Sequence, residues 1–378
     1  MTSKKILLKL RNQINQIDKL ILDLLYKRRT LAISIAKKKI IHKFLIQDRT
    51  REKELLQNLI LMGEKYHLSA KYIKKIFNII IQDSVTIQTK ITNKFIQNTN
   101  LKNPIFSFLG PTGSYSYIAS MKYIKKYHNN YAIQQHKNFE DILHSVENNQ
   151  SNYAIVPIEN SFSGFIRPVY NLLFKTKLKI IGECYLPINH CLLTKSKILL
   201  SEIKVIYSHA QSFEQCSKFI QKYKYGKIKY TNSTSEAMQI VSNMDKNNIA
   251  AIGDKNSAKI YQLQTISENI SNSLNNNTRF FILTKNIIHN LNIIPIKSTL
   301  ILTTKKNLLF SIIIQLNKKK IKILQLESQL YNEKPIKEMI YIEILGHTHD
   351  EKIKHILQDF EKQDILINIL GSYPTLDI

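Results

Sequence analysis

The first 97 residues repeat apolar side chains at helical spacing, and no other feature constrains the fold of the chain as strongly. Over residues 6–42 the repeat is heptad-like and contains neither glycine nor proline, which predicts one long helix. Further helices are predicted over 48–62 and over 69–97, where Ser69 is a suitable N-cap. The seam of the first helix consists of Leu7, Leu10, Ile14, Ile17, Ile21, Leu24, Leu31 and Ile35. This seam favours an all-helical dimer.

Polar residues occupy seam positions where aliphatic residues are expected. Arg28 lies on the seam of the first helix, and Lys39 follows on nearly the same face, about 16 Å further along the axis. Ser84 lies on the apolar face of the third helix, and Gln88 follows one turn later. Such groups are costly to bury unless they meet each other or a polar ligand. The pattern predicts a pocket for a small dianion, although a coiled-coil dimer with ordinary surface charges also explains the composition.

Arginine is scarce in this chain, where lysine is the common cation. Of 55 basic residues seven are arginines, and five of these fall within the first 51 residues. A guanidinium binds a carboxylate through two parallel hydrogen bonds, which an ammonium cannot do. The clustering therefore predicts an anion site near the N-terminus. Arg11 points about 100° away from Arg28 around the same helix, so it could serve a different pocket, in a partner subunit.

These helices resemble the all-helical chorismate mutase domain of the bifunctional chorismate mutase/prephenate dehydratases. The resemblance lies in Met1-Thr2-Ser3, the run from Leu7 to Arg11, Arg28-Arg29, Lys39, Asp48, Arg51-Glu52, and Asp83-Ser84-Val85 with Gln88. It implies that the substrate carboxylates are held by Arg11 from the partner subunit, Arg28, Arg51 and Ser84. It implies that Lys39 and Gln88 donate to the ether oxygen and that Asp48 and Glu52 contact the hydroxyl. A Claisen rearrangement needs no cofactor or proton transfer, so positioning and electrostatic stabilisation can supply the catalysis.

Beyond a polar stretch that ends at Pro104, the pattern changes to short apolar strands alternating with helices. The turn Gly110–Ser116 joins a strand to a helix, and such small-residue turns offer backbone N–H groups to an anion. Thr278 and Arg279 are predicted to lie on a loop before a final strand. The predicted strands and strand–helix units are Ile105–Leu109, Tyr153–Val156, about 204–223, about 250–261 and Phe281–Thr284. This order predicts an α/β domain.

Four segments of the α/β region resemble prephenate dehydratases. They are Gly110–Ser116, Pro157–Gly164, Ser233-Thr234-Ser235 with Ala237, and Thr278-Arg279-Phe280. The resemblance implies two lobes, similar to a periplasmic binding protein, with the site in the cleft between them. It makes Thr278 the proton donor or the residue that orients it, Arg279 an electrostatic anchor, and Glu159, Asn160 and Ser161 substrate-positioning residues. Because a threonine hydroxyl is a poor acid, a water or relay behind Thr278 is left open.

Residues 297–378 are predicted to fold in the order β-α-β-β-α-β, with Asp350 capping the second helix. This order resembles an ACT domain, which in the family binds phenylalanine and inhibits the dehydratase. Two family motifs are altered here, to Asn307-Leu308-Leu309 and to Glu327-Ser328-Gln329-Leu330. The first loses a glycine that allows close backbone approach, and the second loses a forked donor. We therefore expect phenylalanine feedback to be weak or absent.

Composition excludes several classes of protein. The net charge of +27 suggests a nucleic-acid or membrane-surface binder, but the basic residues are spread along the whole chain, so neither partner is expected. No apolar stretch is long enough to span a membrane, and the N-terminus does not resemble a signal peptide. The three cysteines suit neither a disulfide framework nor a zinc site, which fits the cytoplasm. No metal or cofactor is expected, although His347, His349 and His355 lie near each other in sequence.

Together these observations predict a multidomain α and α/β enzyme of phenylalanine biosynthesis. Residues 1–97 would form the mutase arm and a homodimer, residues 105–285 the dehydratase lobes, and residues 297–378 a ferredoxin-like regulatory domain. Chorismate and prephenate, both small dianions, would be the substrates, and phenylpyruvate the product. Two other hypotheses remain open at this stage: a basic nucleic-acid-binding protein with a helical dimerisation arm, and a ligand sensor with a cleft but no catalysis.

Overall fold

The structure, a computed structural model, describes residues 2–41, 49–100, 103–223, 227–273, 275–285, 297–304, 308–331 and 337–373. Residue contacts divide the chain near Asn100 into two compact units, a helical unit before it and a second unit that contains everything from the first strand onward. None of the helices described is both long and apolar enough to cross a membrane. The predicted fold class is confirmed; the division of the second unit between residues 285 and 297 stays a prediction.

The helical unit consists of three helices that agree with the predicted spans to within a few residues. They are α1 (Thr2–Ile41), α2 (Arg49–Glu64) and α3 (Ala70–Asn100). Ser69 caps α3 as predicted, with its Oγ 3.3 Å from the backbone nitrogen of Tyr72. Only the C-terminal half of α1 is buried by the rest of the described unit, through Ala32 and Ala36. The apolar seam of its N-terminal half lies exposed.

The second unit begins with two α/β lobes. The elements in chain order are β1 (Ile105–Leu109), α4 (Tyr115–Tyr127), β2 (Ala132–His136), α5 (Phe139–Glu147), β3 (Tyr153–Asn160), β4 (Gly164–Phe165), α6 (Arg167–Lys175), β5 (Lys179–Pro187), β6 (His190–Thr194), β7 (Val205–Ser208), α7 (Ala210–Gln215), α8 (Ser217–Tyr223), β8 (Lys227–Tyr230), α9 (Thr234–Asn243), β9 (Ile249–Asp254), α10 (Lys255–Ile260), β10 (Gln264–Ser267) and β11 (Asn277–Thr284).

Each lobe is built on its own sheet. The first has the order β2-β1-β3-β11-β5, with β4 paired to β3, and the second has the order β10-β6-β9-β7-β8. The chain crosses from the first lobe to the second between β5 and β6, and it returns just before β11. One expectation was wrong here: Thr278 and Arg279 do not precede the last strand on a loop but belong to it, because β11 begins at Asn277.

The C-terminal elements have the predicted order β-α-β-β-α-β. They are β12 (Lys297–Thr304), α11 (Leu309–Lys318), β13 (Ile323–Tyr331), β14 (Lys337–Leu345), α12 (Glu351–Glu361) and β15 (Leu366–Tyr373), in a sheet of order β13-β14-β12-β15. Asp350 occupies the N-cap of α12, but its carboxylate accepts from the backbone nitrogen of His347 at 3.0 Å and makes no capping bond to the helix. The predicted N-cap position is therefore confirmed, without a capping hydrogen bond from the side chain.

The C-terminal sheet packs closely against the first lobe. One core cluster includes Ile180 and Phe281 of the first lobe together with Tyr341, Leu370 and Tyr373 of the C-terminal sheet. At Gly371 a side chain has no room, because a Cβ atom there would lie 2.2 Å from the backbone oxygen of Ile180. The C-terminal domain is therefore in direct contact with the sheet that carries β11.

Candidate active sites

The helical unit brings together two of the polar residues that interrupt its apolar seams. Arg28 is half-buried, and its guanidinium donates to the backbone oxygen of Ile80 at 3.0 Å and to the hydroxyl of Ser84. Ser84 in turn donates to the same Ile80 oxygen at 3.0 Å. The contact between the seams of α1 and α3 is thus polar at this level. A guanidinium and a hydroxyl held side by side are suited to binding a carboxylate.

The other predicted mutase residues surround this pair incompletely. Gln88 is buried one turn beyond Ser84, and Lys39 is half-buried near the end of α1. Glu52 is half-buried in the first turn of α2, whereas Arg51 is exposed there. Asp48 lies outside the described residues. Among the described residues, the predicted ones therefore lie in the C-terminal part of α1, in the first turn of α2 and near the middle of α3, with the exception of Arg11.

Arg11 cannot reach this group of residues within its own chain. It lies 17 positions before Arg28 on the same continuous helix, which places it about 26 Å away along the axis. Its side chain is exposed, like the apolar seam around it. Arg11 therefore does not share a pocket with Arg28 of the same chain.

One ion pair in this unit was not predicted from the sequence. Arg29 makes two hydrogen bonds of 3.0 Å to the two carboxylate oxygens of Asp83, next to the Arg28–Ser84 contact. Both side chains are more than one-third exposed, so the pair contributes little to stability. Its bidentate geometry does fix the register of α1 against α3. The adjacent arginines thus make different contacts, because Arg28 faces the seam and Arg29 faces solvent.

In the first lobe, Thr278 lies beside Asn160 on neighbouring strands. The two residues are paired in the β11–β3 ladder, and Asn160 Nδ2 donates to Thr278 Oγ1 at 2.9 Å. Both side chains are buried. The oxygen of the Asn160 amide accepts from the backbone nitrogens of Phe162 and Ser163 at 3.0 and 3.2 Å. The turn after β3 thus holds the amide that touches the predicted catalytic threonine.

The hydrogen bonds continue from Asn160 through residues that the sequence analysis did not select. Asn160 Nδ2 also donates to Asn276 Oδ1 at 2.8 Å, and Asn276 Nδ2 lies 3.0 Å from Gln215 Oε1. That oxygen is 2.7 Å from His190 Nε2, and His190 Nδ1 is 2.9 Å from the hydroxyl of Tyr115. We call these residues with Thr278 the interlobe network: Thr278, Asn160, Asn276, Gln215, His190 and Tyr115.

Burial controls the charge state of the ionisable members of the interlobe network. His190 is 1% exposed, and this desolvation lowers the pKa of its imidazole, although the hydrogen bond to Gln215 opposes the shift. Burial also raises the pKa of Tyr115 well above its ordinary value, assisted by the nearby carboxylate of Asp254. Both groups are therefore neutral at physiological pH. The network is an uncharged series of donors and acceptors.

Ser161 lies at the edge of this network. Its hydroxyl donates to the backbone oxygen of Asn275 at 3.1 Å and accepts from the backbone nitrogen of Asn277 at 2.8 Å. Ser161, Gln215 and Asn276 line one small cavity of about 60 Å³. The structure therefore brings Asn160, Ser161 and Thr278 together, as three of the predicted dehydratase residues.

Arg279 and Glu159 lie elsewhere, because successive residues of a strand point to opposite faces of a sheet. Thr278 is paired with Asn160, whereas Arg279 is paired with Glu159 on the opposite face. The family resemblance implied that these residues and Ser161 share one substrate site, and the sequence pattern placed Thr278 and Arg279 on a loop. The strands extend further than predicted, and the geometry separates Glu159 and Arg279 from the Thr278 hydroxyl.

Arg279 is committed to an ion cluster between the first lobe and the C-terminal domain. It is 4% exposed, and it donates to Glu183 at 2.7 Å, to Glu343 at 2.5 Å and to Gln325 at 2.6 Å. Lys297 lies 2.7 Å from Glu183 and 3.1 Å from Glu343. We call Arg279, Lys297, Glu183 and Glu343 the junction cluster. Its two cations and two anions balance, which is how buried charges are tolerated.

Gln325 connects the junction cluster to the other displaced residue. Its Nε2 donates to Glu159 Oε2 at 2.9 Å while its oxygen accepts from Arg279. Gln325 lies on β13, the strand that also carries the altered regulatory motif. Arg279 and Glu159, which the family resemblance assigned to substrate binding, therefore contact the C-terminal domain.

The predicted regulatory residues lie at two places in that domain. Leu308 and Leu309 are half-buried at the N-terminal end of α11, and Asn307 lies outside the described residues. On β13, Ser328 donates to Glu338 at 2.7 Å. The described neighbours of this motif also include the first lobe, because Gln329 Nε2 donates to Asn171 Oδ1 of α6 at 3.0 Å. Glu327, which precedes Ser328 on β13, is half-buried.

Comparison with known protein families covers both units. Residues 10–89 match the family profile "Chorismate mutase type II", and residues 106–287 match "Prephenate dehydratase". A bifunctional chorismate mutase/prephenate dehydratase of Buchnera aphidicola subsp. Schizaphis graminum is 42% identical over 380 residues, which cover 100% of this chain and 99% of the relative. That of Escherichia coli K12 is 36% identical over 380 residues, covering 100% of this chain and 98% of the relative.

Two solved structures share the fold of the second unit. The prephenate dehydratase of Staphylococcus aureus Mu50 has a TM-score of 0.59 and 23% identity, and the alignment covers 71% of this chain and 99% of that one. The prephenate dehydratase of Arthrobacter aurescens in complex with L-Phe has a TM-score of 0.63 and 22% identity, with 71% and 89% covered. At these identities the likeness establishes the fold alone.

Proposed function

The chain belongs to the family of bifunctional chorismate mutase/prephenate dehydratases, and from this membership we propose how its residues perform the two reactions. The protein rearranges chorismate to prephenate and then converts prephenate to phenylpyruvate, in phenylalanine biosynthesis. The observation that carries this conclusion is the similarity over the entire length of the chain. Neither the nucleic-acid-binding hypothesis nor the ligand-sensor hypothesis accounts for it.

In the mutase site, we assign the substrate carboxylates to Arg28 and Ser84 together with Arg51. The support is the Arg28–Ser84 contact, which places a cation and a hydroxyl on facing helices. Lys39 and Gln88 are assigned to the ether oxygen, where negative charge develops as the C–O bond breaks. Donors aimed at a developing charge stabilise the transition state more than the substrate. Asp48 and Glu52 are assigned to the substrate hydroxyl on the basis of family resemblance alone.

The mutase site is completed by Arg11 of a second subunit. The support is the distance of about 26 Å between Arg11 and Arg28 along one helix, which excludes their joint use within one chain. The exposed apolar seam on the same part of α1 gives a second copy of this chain a surface to cover. The homodimer through the N-terminal helices is therefore part of the proposal for catalysis.

In the dehydratase site, we assign the proton for the departing hydroxyl to Thr278. The C–C bond to the ring carboxylate breaks and releases carbon dioxide, and its electron pair enters the ring. The C–O bond on the opposite ring carbon then breaks, and the departing oxygen takes the Thr278 proton to leave as water. Solvent returns a proton to the Thr278 oxygen before the next turnover. Asn160, which is buried beside Thr278, and Ser161, which is exposed at the edge of the network, are assigned to substrate positioning. Aromatisation supplies the driving force.

Arg279 and Glu159 take a different role in this proposal. Because both contact Gln325 of β13, they are assigned to holding β11 and β3 against the C-terminal domain and not to the substrate. Arg279, the next residue on β11, then helps to hold Thr278 in its position on the strand. The weakened response to phenylalanine stays a proposal, supported by the two altered motifs. A cytoplasmic location is likewise proposed, supported by three cysteines that are free and buried.

The two sites can be tested separately in one purified protein. Ultraviolet assays follow first chorismate and then prephenate. We expect Arg28→Lys to lower mutase activity by about 100-fold, because an ammonium cannot replace the fork, while dehydratase activity stays normal. Thr278→Ala should lower dehydratase activity by about 100-fold or more and leave the mutase normal. Loss of both activities in either variant would contradict the assignment of separate sites.

A further inference from the structure

The direction of every hydrogen bond in the interlobe network can be worked out from one end. Backbone N–H groups can only donate, and those of Phe162 and Ser163 lie 3.0 and 3.2 Å from one atom of the Asn160 amide. That atom must be the oxygen. The Asn160 NH2 group therefore faces the other way, toward Thr278 Oγ1 at 2.9 Å and Asn276 at 2.8 Å. The orientation of this amide does not depend on an assumption about its atoms.

The same argument passes along the network into the second lobe. Asn276 must present its oxygen to Asn160, so its NH2 group faces Gln215 at 3.0 Å. Gln215 must then present its oxygen, and His190 Nε2, at 2.7 Å from that oxygen, must carry the hydrogen. A neutral imidazole with a proton on Nε2 accepts at Nδ1. Tyr115 therefore donates its hydroxyl proton to His190 over 2.9 Å.

This direction determines what Thr278 offers to a substrate. Its oxygen accepts from Asn160, so its own proton cannot point along that bond. Among the residues that the structure describes, Asn160 is the one hydrogen-bond partner of the Thr278 hydroxyl. The proton is thus available to a group outside the network. The reverse direction would turn the Thr278 proton inward, toward the Asn160 oxygen.

The network also connects the lobes twice. Asn160, Asn276 and Thr278 lie on the first lobe or at its return crossing, and Gln215 and His190 lie on the second lobe. Tyr115 begins α4 of the first lobe, so His190 and Gln215 are held from both sides. Tyr115 and His190 also contact edge to face, with ring centroids 5.7 Å apart. The far end of the network is therefore in a position to fix Gln215 and, through it, Asn276, which accepts from the Asn160 amide and holds it beside Thr278.

We propose that Tyr115 and His190 are positioning residues for the dehydratase reaction: they complete a hydrogen-bond series of fixed direction that leaves the Thr278 proton free for the departing hydroxyl. This inference deepens the proposed function and rests on the role given there to Thr278. The Asn160 N–H group that donates to the Thr278 oxygen also helps to offset the weak acidity of the threonine hydroxyl. Side-chain amides do not relay protons, so the network orients and polarises the hydroxyl and does not supply it with a proton.

Two substitutions remove the far end of the network without charging it. We expect Tyr115→Phe, which keeps the ring, to lower the dehydratase kcat by about 10-fold with KM changed by less than about twofold. His190→Leu removes the donor to Gln215 and should lower kcat by about 100-fold, and His190→Gln, whose amide can donate, should recover about 10-fold of that loss. The matched control is Tyr153→Phe, a buried tyrosine of the same lobe outside the network, with kcat expected to change by less than about twofold.

Mutase activity of each preparation reports its concentration, and urea denaturation reports whether the second unit of each variant is folded. In the wild-type protein, 15N NMR of the histidine rings should show His190 protonated on Nε2, which needs no variant. A ring protonated on Nδ1, or His190→Leu with wild-type kcat, would overturn the inference. The proposed function would fail if the wild-type protein lacked dehydratase activity or if Thr278→Ala retained it. If the wild-type protein is active and Thr278→Ala is inactive, but the Tyr115 and His190 variants have wild-type kcat, only this inference is overturned.

Discussion

The helical domain and the dehydratase lobes differ in how much of an active site one polypeptide completes. In the helices, Arg11 is exposed and the side chain of Arg51 is 68% exposed, so the two cations have no enclosed pocket around them. In the lobes, the polar residues around Thr278 are buried and bonded to one another. The cations proposed to bind the dianion are thus exposed in the helical unit, whereas the polar residues around Thr278 in the lobes are already held by hydrogen bonds. The proposed mutase site therefore requires a residue from a second subunit, whereas the proposed dehydratase residues all come from one chain.

The apolar surface follows the same division. Ile14 and Ile17 on α1 are 57% and 55% exposed, whereas the cores of the lobes contain side chains such as Ile155 and Phe281 with no exposure at all. Exposed apolar surface on a regular helical seam is costly in water and is covered when two such helices pair. The proposed dimer contact and several of the proposed mutase residues thus lie on the same helix.

Breaking the seam should separate the two activities most strongly. Ile17→Asp places a carboxylate where two helices are proposed to pair, and burying it unpaired is unfavourable. We expect the dimer to dissociate and mutase activity to fall by about 100-fold at micromolar concentration, while dehydratase activity is retained. Sedimentation and both assays measure this. The matched control is Gln16→Asp, which adds the same charge off the seam; equal losses in both variants would contradict the pairing.

Disrupting the junction cluster tests whether the lobes depend on the C-terminal domain. Glu343→Gln leaves Arg279 and Lys297 with one carboxylate of the cluster, and we expect unfolding of the second unit to become easier by about 3 kcal/mol. Urea denaturation measures the change, and dehydratase activity should decline with it while mutase activity persists. The exposed Glu361→Gln on α12 should change stability by less than about 0.5 kcal/mol. Unchanged stability of Glu343→Gln would show that the cluster does not hold the domains together.

The smallest effect is expected from phenylalanine itself. Because the motif at 307–309 lacks its glycine and that at 327–330 lacks its arginine, micromolar phenylalanine should reduce dehydratase activity by much less than half. Steady-state assays with and without the amino acid measure this directly. Half-inhibition in that range would refute the expectation. Mutase activity in the same samples provides the baseline.

Much of the fold and half of the site were accessible from the sequence. Helical periodicity alone located α1 to α3, because a long seam without glycine or proline has few other solutions. The contact between Arg28 and Ser84 follows from polar residues on facing seams, since neither could be buried alone. Asn160, Ser161 and Thr278 also lie together as the family resemblance implied.

The remaining features depend on strand limits and on distant contacts. The sequence indicated a loop at Thr278 and Arg279, because no periodicity marks the first residues of β11; the strand instead turns these neighbours to opposite faces. Gln215 and His190 both have polar neighbours in the sequence, so they do not stand out there, and nothing local connects them to Thr278. Only the crossing of the chain between lobes brings them together. The position of His190, directly after the crossing from β5 to β6, was a signal that could have been weighed.

The central claim is that each mutase site combines Arg11 of one subunit with Arg28 of the other. Arg11→Ala and Arg28→Lys chains should each be inactive as homodimers and should retain normal dehydratase activity. When the two are coexpressed, half of the dimers are mixed and each contains one intact site, so we predict mutase activity of about one quarter of the wild-type value. If both arginines acted within one chain, no mixture could form an intact site, and absence of any recovered activity would contradict the account.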